Sequence, residues 1–131
     1  MADEALKNKG KVIGIAMKSF KNWGVLHQKI SKMYLTNTLQ KRKELMYKKS
    51  DAFIVLPGGI GTIDEVFEII ATNILTKSNK ILILLNYKKF WNKLIDLIDD
   101  NIKQKYSKKE IKNNIKVTTS ISEIFAILNK V

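Results

Sequence analysis

The stretch that decides the fold of this chain is Ser50-Asp-Ala-Phe-Ile-Val-Leu-Pro-Gly-Gly-Ile-Gly-Thr-Ile-Asp-Glu-Val-Phe-Glu68. The apolar run from Ala52 to Leu56 predicts a strand, the following Pro-Gly-Gly predicts a turn, and a helical pattern opens at Thr62. Such a turn can hold a phosphate, because its backbone N–H groups can approach the anion and the helix dipole favours negative charge. We therefore expect a phosphate site here.

The rarest residue types of the chain gather around this stretch. Its only proline is Pro57, and three of its six glycines are Gly58, Gly59 and Gly61. Its only arginine, Arg42, lies a few residues upstream. A guanidinium offers a planar fork for two-point contact with a phosphate or carboxylate. The sequence leaves three roles open for Arg42: a ligand contact, a surface residue, or an ion pair with Glu65.

Length and composition restrict the class of protein. A chain of 131 residues with 45% apolar content predicts one globular domain, residues 1–131. The absence of cysteine excludes disulfides and thiolate catalysis, and a single histidine, His27, does not favour a metal site. No apolar run approaches the ~20 residues that span a bilayer, and the N-terminal residues lack a signal-peptide core. We expect a cytoplasmic protein with no membrane partner.

The formal charge of +12 raises the possibility of nucleic-acid binding. The lysines, however, are scattered through every segment and mixed with asparagine and isoleucine, a pattern typical of AT-rich codon usage. A solvated lysine surface is the simpler explanation. We therefore expect no nucleic-acid partner.

The remaining pattern alternates strands and helices. Upstream, it predicts a helix over Ala2–Lys9 closed by Gly10, a buried strand over Lys11–Ala16, an unclear segment from Met17 to Leu35 with apolar residues at roughly helical spacing, and a helix to Lys49 capped by Thr36 or Thr38. Downstream, the pattern predicts a helix from Ile63 to about Leu75, whose packed face contains Ile63, Val66, Phe67, Ile70 and Ile74. It then predicts a strand over Lys80–Leu85, a helix from Phe90 to about Gln104 and a loop over Lys105–Lys116. A short strand ending at Val117 and a last helix follow, and this helix is capped by Ser120 or Ser122 and buries Ile124, Phe125 and Leu128.

This alternation predicts an α/β protein with a Rossmann-like parallel sheet and helices on both faces. Ligands of such sheets bind beyond the carboxyl ends of the strands, where residues 57–62 are expected to lie. Two common nucleotide motifs are excluded. Asp64 stands where a dinucleotide fingerprint needs its third glycine, and Gly61-Thr62 lacks the lysine of a P-loop.

Glu65 has two possible roles. Thr62-Ile-Asp-Glu65 fits a capping box, in which Glu65 reaches back to the helix start, and the residues alone favour this role. Asp64 and Glu65 are neighbours that point apart on a helix, so they do not form a carboxylate dyad.

Together, Arg42-Lys-x-x-Met46 and Pro57-Gly-Gly-Ile-Gly-Thr-Ile-Asp-Glu65 resemble the LOG ("Lonely guy") family, long described as possible lysine decarboxylases. The likeness runs along the whole chain. It implies a nucleotide-binding Rossmann-like fold, a homodimer, and hydrolysis of the N-glycosidic bond of nucleoside 5'-monophosphates such as AMP or cytokinin riboside monophosphate. No metal or cofactor is implied.

The resemblance also assigns site residues. Arg42 and Glu65 are the catalytic candidates, and the substrate-binding candidates are Arg42, Lys43, Gly58, Gly59, Ile60, Gly61, Thr62, Ile63 and Asp64. The chain departs from the family at two points: the usual N-terminal strand–helix–strand unit is lacking, and Gly24 stands where a glutamate is usual. The alternative is a non-catalytic nucleotide- or phosphosugar-binding carrier of the same fold. A nucleic-acid binder rests on net charge alone.

Overall fold

The structure is a computed structural model that describes residues 1–24, 26–27 and 29–130, with only the backbone of residues 21–23. The chain divides into two compact units, residues 1–49 and 50–131. Each unit is an α/β arrangement of parallel strands and helices, as the sequence predicts. The expectation of a single domain stays a prediction. Within the described ranges, no helix is both long and apolar enough to cross a membrane.

The first unit contains a two-stranded parallel sheet. Its elements are α1 (Ala2–Lys7), β1 (Ile13–Met17), a 3-10 helix (Lys18–Trp23), β2 (Lys32–Thr36) and α2 (Leu39–Lys49). Strands β1 and β2 pair in parallel from Ile13–Lys32 to Met17–Thr36, and α2 packs against both. Thr38 caps α2, because its Oγ1 accepts a hydrogen bond from the N–H of Lys41 at 3.2 Å. The choice between Thr36 and Thr38 is thereby decided.

Two expectations for the first unit are wrong. Strand β1 begins at Ile13 and is largely half-buried, with Ala16 its one buried residue. The segment of roughly helical spacing contains β2, which the sequence pattern did not reveal. Pairing with β1 stabilises β2, and such long-range pairing outweighs local periodicity. Val25 and Gln28 of that segment lie outside the described residues.

Helix α1 ends differently from the prediction. Lys9, not Gly10, takes the left-handed conformation, with φ of 59°. The N–H of Lys9 donates to the carbonyl of Leu6 at 3.0 Å, and that of Gly10 donates to the carbonyl of Ala5 at 2.7 Å. These two bonds form a Schellman cap. Gly10 allows its backbone to lie close to the carbonyl of Ala5 in this cap, since a Cβ at Gly10 would lie 2.9 Å from the Ala5 oxygen.

The second unit contains a three-stranded parallel sheet in the order β3-β4-β5. Its elements are β3 (Ala52–Val55), α3 (Ile60–Thr76), β4 (Ile81–Leu85), a 3-10 helix (Tyr87–Lys89), α4 (Asn92–Lys103), a 3-10 helix (Lys109–Asn114), β5 (Ile115–Thr118) and α5 (Ile121–Leu128). The loop expected over Lys105–Lys116 therefore contains helical turns and the start of β5.

Helices cover both faces of this sheet. Ile83 and Leu85 point to the face where they pack with Ile124 of α5. Leu82 points to the opposite face, where it lines one cavity with Ile70 of α3. Because β4 is central and covered on both sides, its residues 82–85 are all buried. The core of the unit is centred on this strand.

The packed faces of the helices differ from those predicted. The buried residues of α3 are Val66, Ile69, Ile70 and Asn73, whereas Phe67 and Ile74 are exposed. Ser120 caps α5 by accepting a hydrogen bond from the N–H of Glu123, but Phe125 is exposed rather than buried. Periodicity alone gives a helix its apolar stripe, while the position of the sheet decides which part of that stripe is covered.

Among the described residues, every non-glycine residue with positive φ is a lysine: Lys9, Lys77, Lys88, Lys89 and Lys105. Lys77 ends α3 with φ of 53° and ψ of 33°. Glycine is the residue that adopts this conformation without steric cost.

We expect Lys77→Gly to raise the free energy of unfolding by about 0.5–1 kcal/mol, measured by urea denaturation. Lys80→Gly, at a position where φ is not positive, is the control and should destabilise the protein. A neutral or destabilising Lys77→Gly would contradict the steric explanation.

Candidate functional site

The predicted phosphate turn lies at the carboxyl end of β3. Residues 56–58 lead from the strand to Gly59, which is the N-cap residue of α3. This 17-residue helix is the longest described, and its N-terminus has no hydrogen bond from a capping side chain. Because the first N–H groups of a helix lack intrahelical acceptors, they are available to an anion at this point.

The glycines of the turn act in different ways. A Cβ on Gly58 would clash with the hydroxyl of Thr62 and lie 2.9 Å from its Cβ, so this position requires glycine. A Cβ on Gly59 or Gly61 would meet nothing within 4 Å. These two glycines therefore leave bare backbone facing open space, which suits close approach of a ligand.

The start of α3 corrects two predictions. The helix begins at Ile60, not at Thr62 or Ile63, and the N–H groups of Thr62 and Ile63 both donate to the carbonyl of Gly59, at 3.0 and 3.2 Å. Thr62 is thus inside the first turn and is not the N-cap. A capping box of Thr62 with Glu65 is therefore wrong, because Glu65 lies a full turn beyond the position that would reach the helix start.

The predicted residues of the second unit are contiguous in space, running from the turn through the first two turns of α3. Ile60, Gly61 and Asp64 are exposed, whereas Gly58, Thr62, Ile63 and Glu65 are half-buried. Asp64 and Glu65 each have a further interaction partner. A carboxylate that is partly withdrawn from water, such as that of Glu65, interacts more strongly with a nearby cation than an exposed one does.

Arg42 and Lys43 are the fourth and fifth residues of α2, in the first unit, and both are half-buried. The Nε of Arg42 donates a hydrogen bond of 3.1 Å to the carbonyl of Ile15 in β1. This bond ties the guanidinium to the sheet and restricts its rotation. The sequence singled out Arg42 but gave no indication of its contact with β1, which depends on a residue 27 positions away.

Two further polar features were not predicted. Asn86, directly after β4, is buried and accepts a hydrogen bond from the N–H of Trp91 at 2.8 Å.

In the first unit, the ammonium groups of Lys32 and Lys49 lie 4.8 and 4.5 Å from the ring centroid of Tyr34. Hydrogen bonds from Lys32 and Lys49 lower the pKa of the Tyr34 phenol. Lysine is too frequent in this chain for the contacts of Lys32 and Lys49 with Tyr34 to be recognised from sequence.

In the part of the chain that the structure describes, no three His, Cys, Asp or Glu side chains lie close enough to hold a metal ion. His27 instead contacts Asp3, with Nε2 2.8 Å from the carboxylate Oδ1. Its Nδ1 accepts from the N–H of Lys29 at 3.2 Å. Both ring nitrogens of the single histidine thus have protein partners.

Comparison with known proteins identifies relatives along most of the chain. The family described as "Possible lysine decarboxylase" matches residues 1–128. A cytokinin riboside 5'-monophosphate phosphoribohydrolase of Rhodococcoides fascians is 34% identical over 100 residues, which cover 76% of this chain and 50% of the relative. The Arabidopsis thaliana enzyme LOG1, of the same name, is 32% identical over 105 residues, covering 79% of this chain and 49% of the relative.

A probable enzyme of this name from Oryza sativa, LOGL2, aligns over 131 residues at 28% identity, covering 99% of this chain and 54% of the relative. The chain therefore spans about half the length of the curated relatives it matches. The family match nevertheless extends over nearly all of its residues, including both motifs that carry the resemblance. This chain belongs to the possible lysine decarboxylase family, whose members include the LOG phosphoribohydrolases.

Proposed function

We propose that the protein hydrolyses the N-glycosidic bond of a nucleoside 5'-monophosphate, AMP or a cytokinin riboside monophosphate, to the free base and ribose 5-phosphate. The observation that carries the proposal is the N-terminus of α3, which has no side-chain cap and where Gly59 and Gly61 face open space. The relatives of the chain are named for this reaction. No cofactor is required by the proposed chemistry.

In this proposal, the turn binds the 5'-phosphate. The backbone N–H groups of Gly59, Ile60 and Gly61 face the anion, and the hydroxyl of Thr62 adds one side-chain donor. The dipole of a 17-residue helix favours the negative charge at the same point. Gly58 supports the turn by leaving room for Thr62. Ile63 and Asp64 complete the lining on the first turns of α3.

The family resemblance also assigns substrate binding to Arg42 and Lys43, which are proposed to contribute positive charge. The bond from Nε to the carbonyl of Ile15 holds the Arg42 guanidinium in place, and a guanidinium held in this way is proposed to make a two-point contact with the substrate. Lys43 follows it on α2 and acts as a point charge. This division of roles fits a chain in which Arg42 is the only arginine and all the remaining basic residues counted with it are lysines.

Glu65 is proposed to act on the ribose. As the bond from C1' to the base nitrogen breaks, positive charge develops at C1', and a carboxylate placed nearby stabilises that transition state. Water then attacks C1', and its oxygen becomes the anomeric hydroxyl of ribose 5-phosphate. The electron pair of the broken bond leaves with the base, which takes up a proton to become the free base.

Incubation of the purified protein with AMP tests the reaction. We expect adenine and ribose 5-phosphate to appear in equal amounts, measured by chromatography and by a reducing-sugar assay. Binding of AMP without release of adenine would instead indicate the non-catalytic carrier. Salt-sensitive binding of DNA, without either result, would indicate a nucleic-acid binder.

We propose further that the protein is a cytoplasmic homodimer. Support for the dimer comes from α3, where Ile60, Phe67 and Ile74 recur every seven residues on the exposed side of the helix. Ala71 lies between them and is also exposed. A seven-residue apolar repeat is the pattern with which two helices pack side by side, and a small residue allows their backbones to approach.

The proposed cytoplasmic location is a separate point, and a lack of cysteine fits a reducing compartment.

The charge substitution Ile74→Glu tests this dimer. Ile74 is 53% exposed, so the change should leave the fold intact but bring two like charges into the proposed interface. We expect the wild type to sediment at twice the chain mass of 15.0 kDa and the variant to sediment as a monomer. Ile121→Glu, at an exposed isoleucine of α5, is the matched control and should remain dimeric. A dimeric Ile74→Glu, or a monomeric wild type, would contradict the proposed interface.

A further inference from the structure

The loop that follows β4, residues 86–91, contains an unusual backbone. Lys88 and Lys89 both lie in the left-handed region, with φ of 49° and 62°, a conformation that residues with side chains rarely adopt. The other three lysines with positive φ each stand at or just beyond the end of a helix, where a left-handed residue commonly terminates the helix. The consecutive pair in this loop instead forms the centre of a tight turn, in which the N–H of Phe90 donates to the carbonyl of Tyr87 at 3.1 Å.

Buried hydrogen bonds hold the loop in this conformation. The side-chain oxygen of Asn86 accepts from the N–H of Trp91 at 2.8 Å, and its amide nitrogen donates to Asn92 at 2.9 Å. The backbone N–H of Asn86 donates to the carbonyl of Thr118, at the end of β5, at 2.7 Å. Trp91 itself is 2% exposed. Strained backbone persists where the surrounding structure fixes it in this way, and it concentrates at ligand sites.

The fixed loop presents two aromatic rings to solvent. Tyr87 is 56% exposed and Phe90 is 51% exposed. The ammonium of Lys88 lies 5.5 Å from the centroid of the Tyr87 ring. Phe90 meets the buried ring of Trp91 edge-on, with centroids 4.8 Å apart, so its position is fixed by packing. Exposed rings held in fixed positions next to cations are the surfaces on which nucleobases stack.

The loop lies beside the phosphate turn on the sheet edge. Strands β3 and β4 are parallel neighbours, and Val55 pairs with Leu84 at their carboxyl ends. Neighbouring strands are about 4.8 Å apart. The turn at residues 57–59 and the loop at residues 86–91 therefore leave the same edge side by side, within one compact unit. A nucleotide carries its phosphate and its base at opposite ends of the ribose and can engage two such neighbouring segments.

We propose that loop 86–91 binds the planar base of the nucleotide, with Tyr87 and Phe90 as its stacking surfaces. This inference rests on the proposed function, because it takes a nucleoside monophosphate as the ligand. Lys88 and Lys89 add positive charge beside these rings. Asn86 is a positioning residue that fixes the loop and does not touch the ligand.

Two ligands that the reaction does not consume separate the base from the phosphate. Adenosine carries the base without a phosphate, and ribose 5-phosphate carries the phosphate without a base. We expect Tyr87→Ala and Phe90→Ala each to weaken adenosine binding about tenfold, and to leave the dissociation constant of ribose 5-phosphate within about twofold of wild type, as measured by NMR titration. Tyr106→Ala, at another exposed tyrosine of this unit, is the control and should change neither constant.

The outcomes distinguish the two proposals. Unchanged adenosine binding in both variants, with ribose 5-phosphate still bound, overturns the base site and leaves the hydrolase standing. Equal losses for both ligands also overturn it, because the loop would then support the fold or the whole site. Tyr87→Leu and Phe90→Leu preserve apolar volume and should show the adenosine defect even if the alanine variants are destabilised. A wild type that binds neither ligand overturns the proposed function together with this inference.

Discussion

Replacement of Glu65 with glutamine is expected to lower kcat for adenine release from AMP by roughly 10²–10³-fold. The substitution keeps the size of the side chain and removes the negative charge that is proposed to stabilise the cationic sugar in the transition state. Because this charge matters most once the bond has begun to break, KM for AMP should change little. The measurement is steady-state turnover followed by chromatography of the free base.

A matched substitution separates this effect from a general loss of charge. Glu110→Gln removes one exposed carboxylate from the 3-10 helix that precedes β5, at the opposite edge of the sheet from the turn. It should retain wild-type turnover. The assignment of Glu65 fails if Glu65→Gln remains as active as Glu110→Gln. A higher KM with unchanged kcat would instead indicate that Glu65 only binds the substrate.

Replacement of Arg42 with lysine is expected to lower kcat/KM for AMP by about 10- to 100-fold, although the charge is retained. Lysine has no planar fork, so a two-point contact becomes a single one. It also lacks the Nε–H that donates to the carbonyl of Ile15, and so loses the tie to β1. A hydrogen bond to a charged group contributes about 1.5–3 kcal/mol, which agrees with this range.

Lys41→Ala is the control for Arg42→Lys. Lys41 is the exposed neighbour on α2, and its backbone N–H, which bonds to Thr38, is preserved by the substitution. The control should keep wild-type kcat/KM, and thermal unfolding should show that both variants are folded. Activity of Arg42→Lys within about twofold of wild type would show that positive charge suffices at this position, and the fork would have no role.

Sequence reasoning predicted the central part of the fold well. Strand β3, the turn and α3 follow from an uninterrupted apolar run, the Pro-Gly-Gly sequence and a long helical period, all of which are local signals. Strand β4 was equally clear, because a central strand covered on both faces reads as a continuous apolar run. By contrast, β2 was missed, since its pairing partner lies about twenty residues upstream and leaves no mark on its own pattern.

The candidate site shows the same division. Glycine spacing located the turn, but the helix boundary decided the possible roles of Glu65. The capping box agreed with the residue types at positions 62–65. It is wrong because it requires a helix that begins at Ile63, whereas α3 begins three residues earlier, at Ile60. A helix start depends on where the chain leaves the strand and on which carbonyl accepts the first N–H groups. For this helix, the carbonyl of Gly59 does so.

The sequence by itself therefore determined the fold class, the position of the glycine-rich turn and the family resemblance, because each depends on residues close together in the chain. Only the tertiary structure decided which side of α3 is covered, how Arg42 is held, and that the strained loop 86–91 lies beside the turn. These features depend on contacts between residues far apart in sequence. The bond from Arg42 to Ile15 and the parallel pairing of β3 with β4 are such contacts, and no local pattern encodes them.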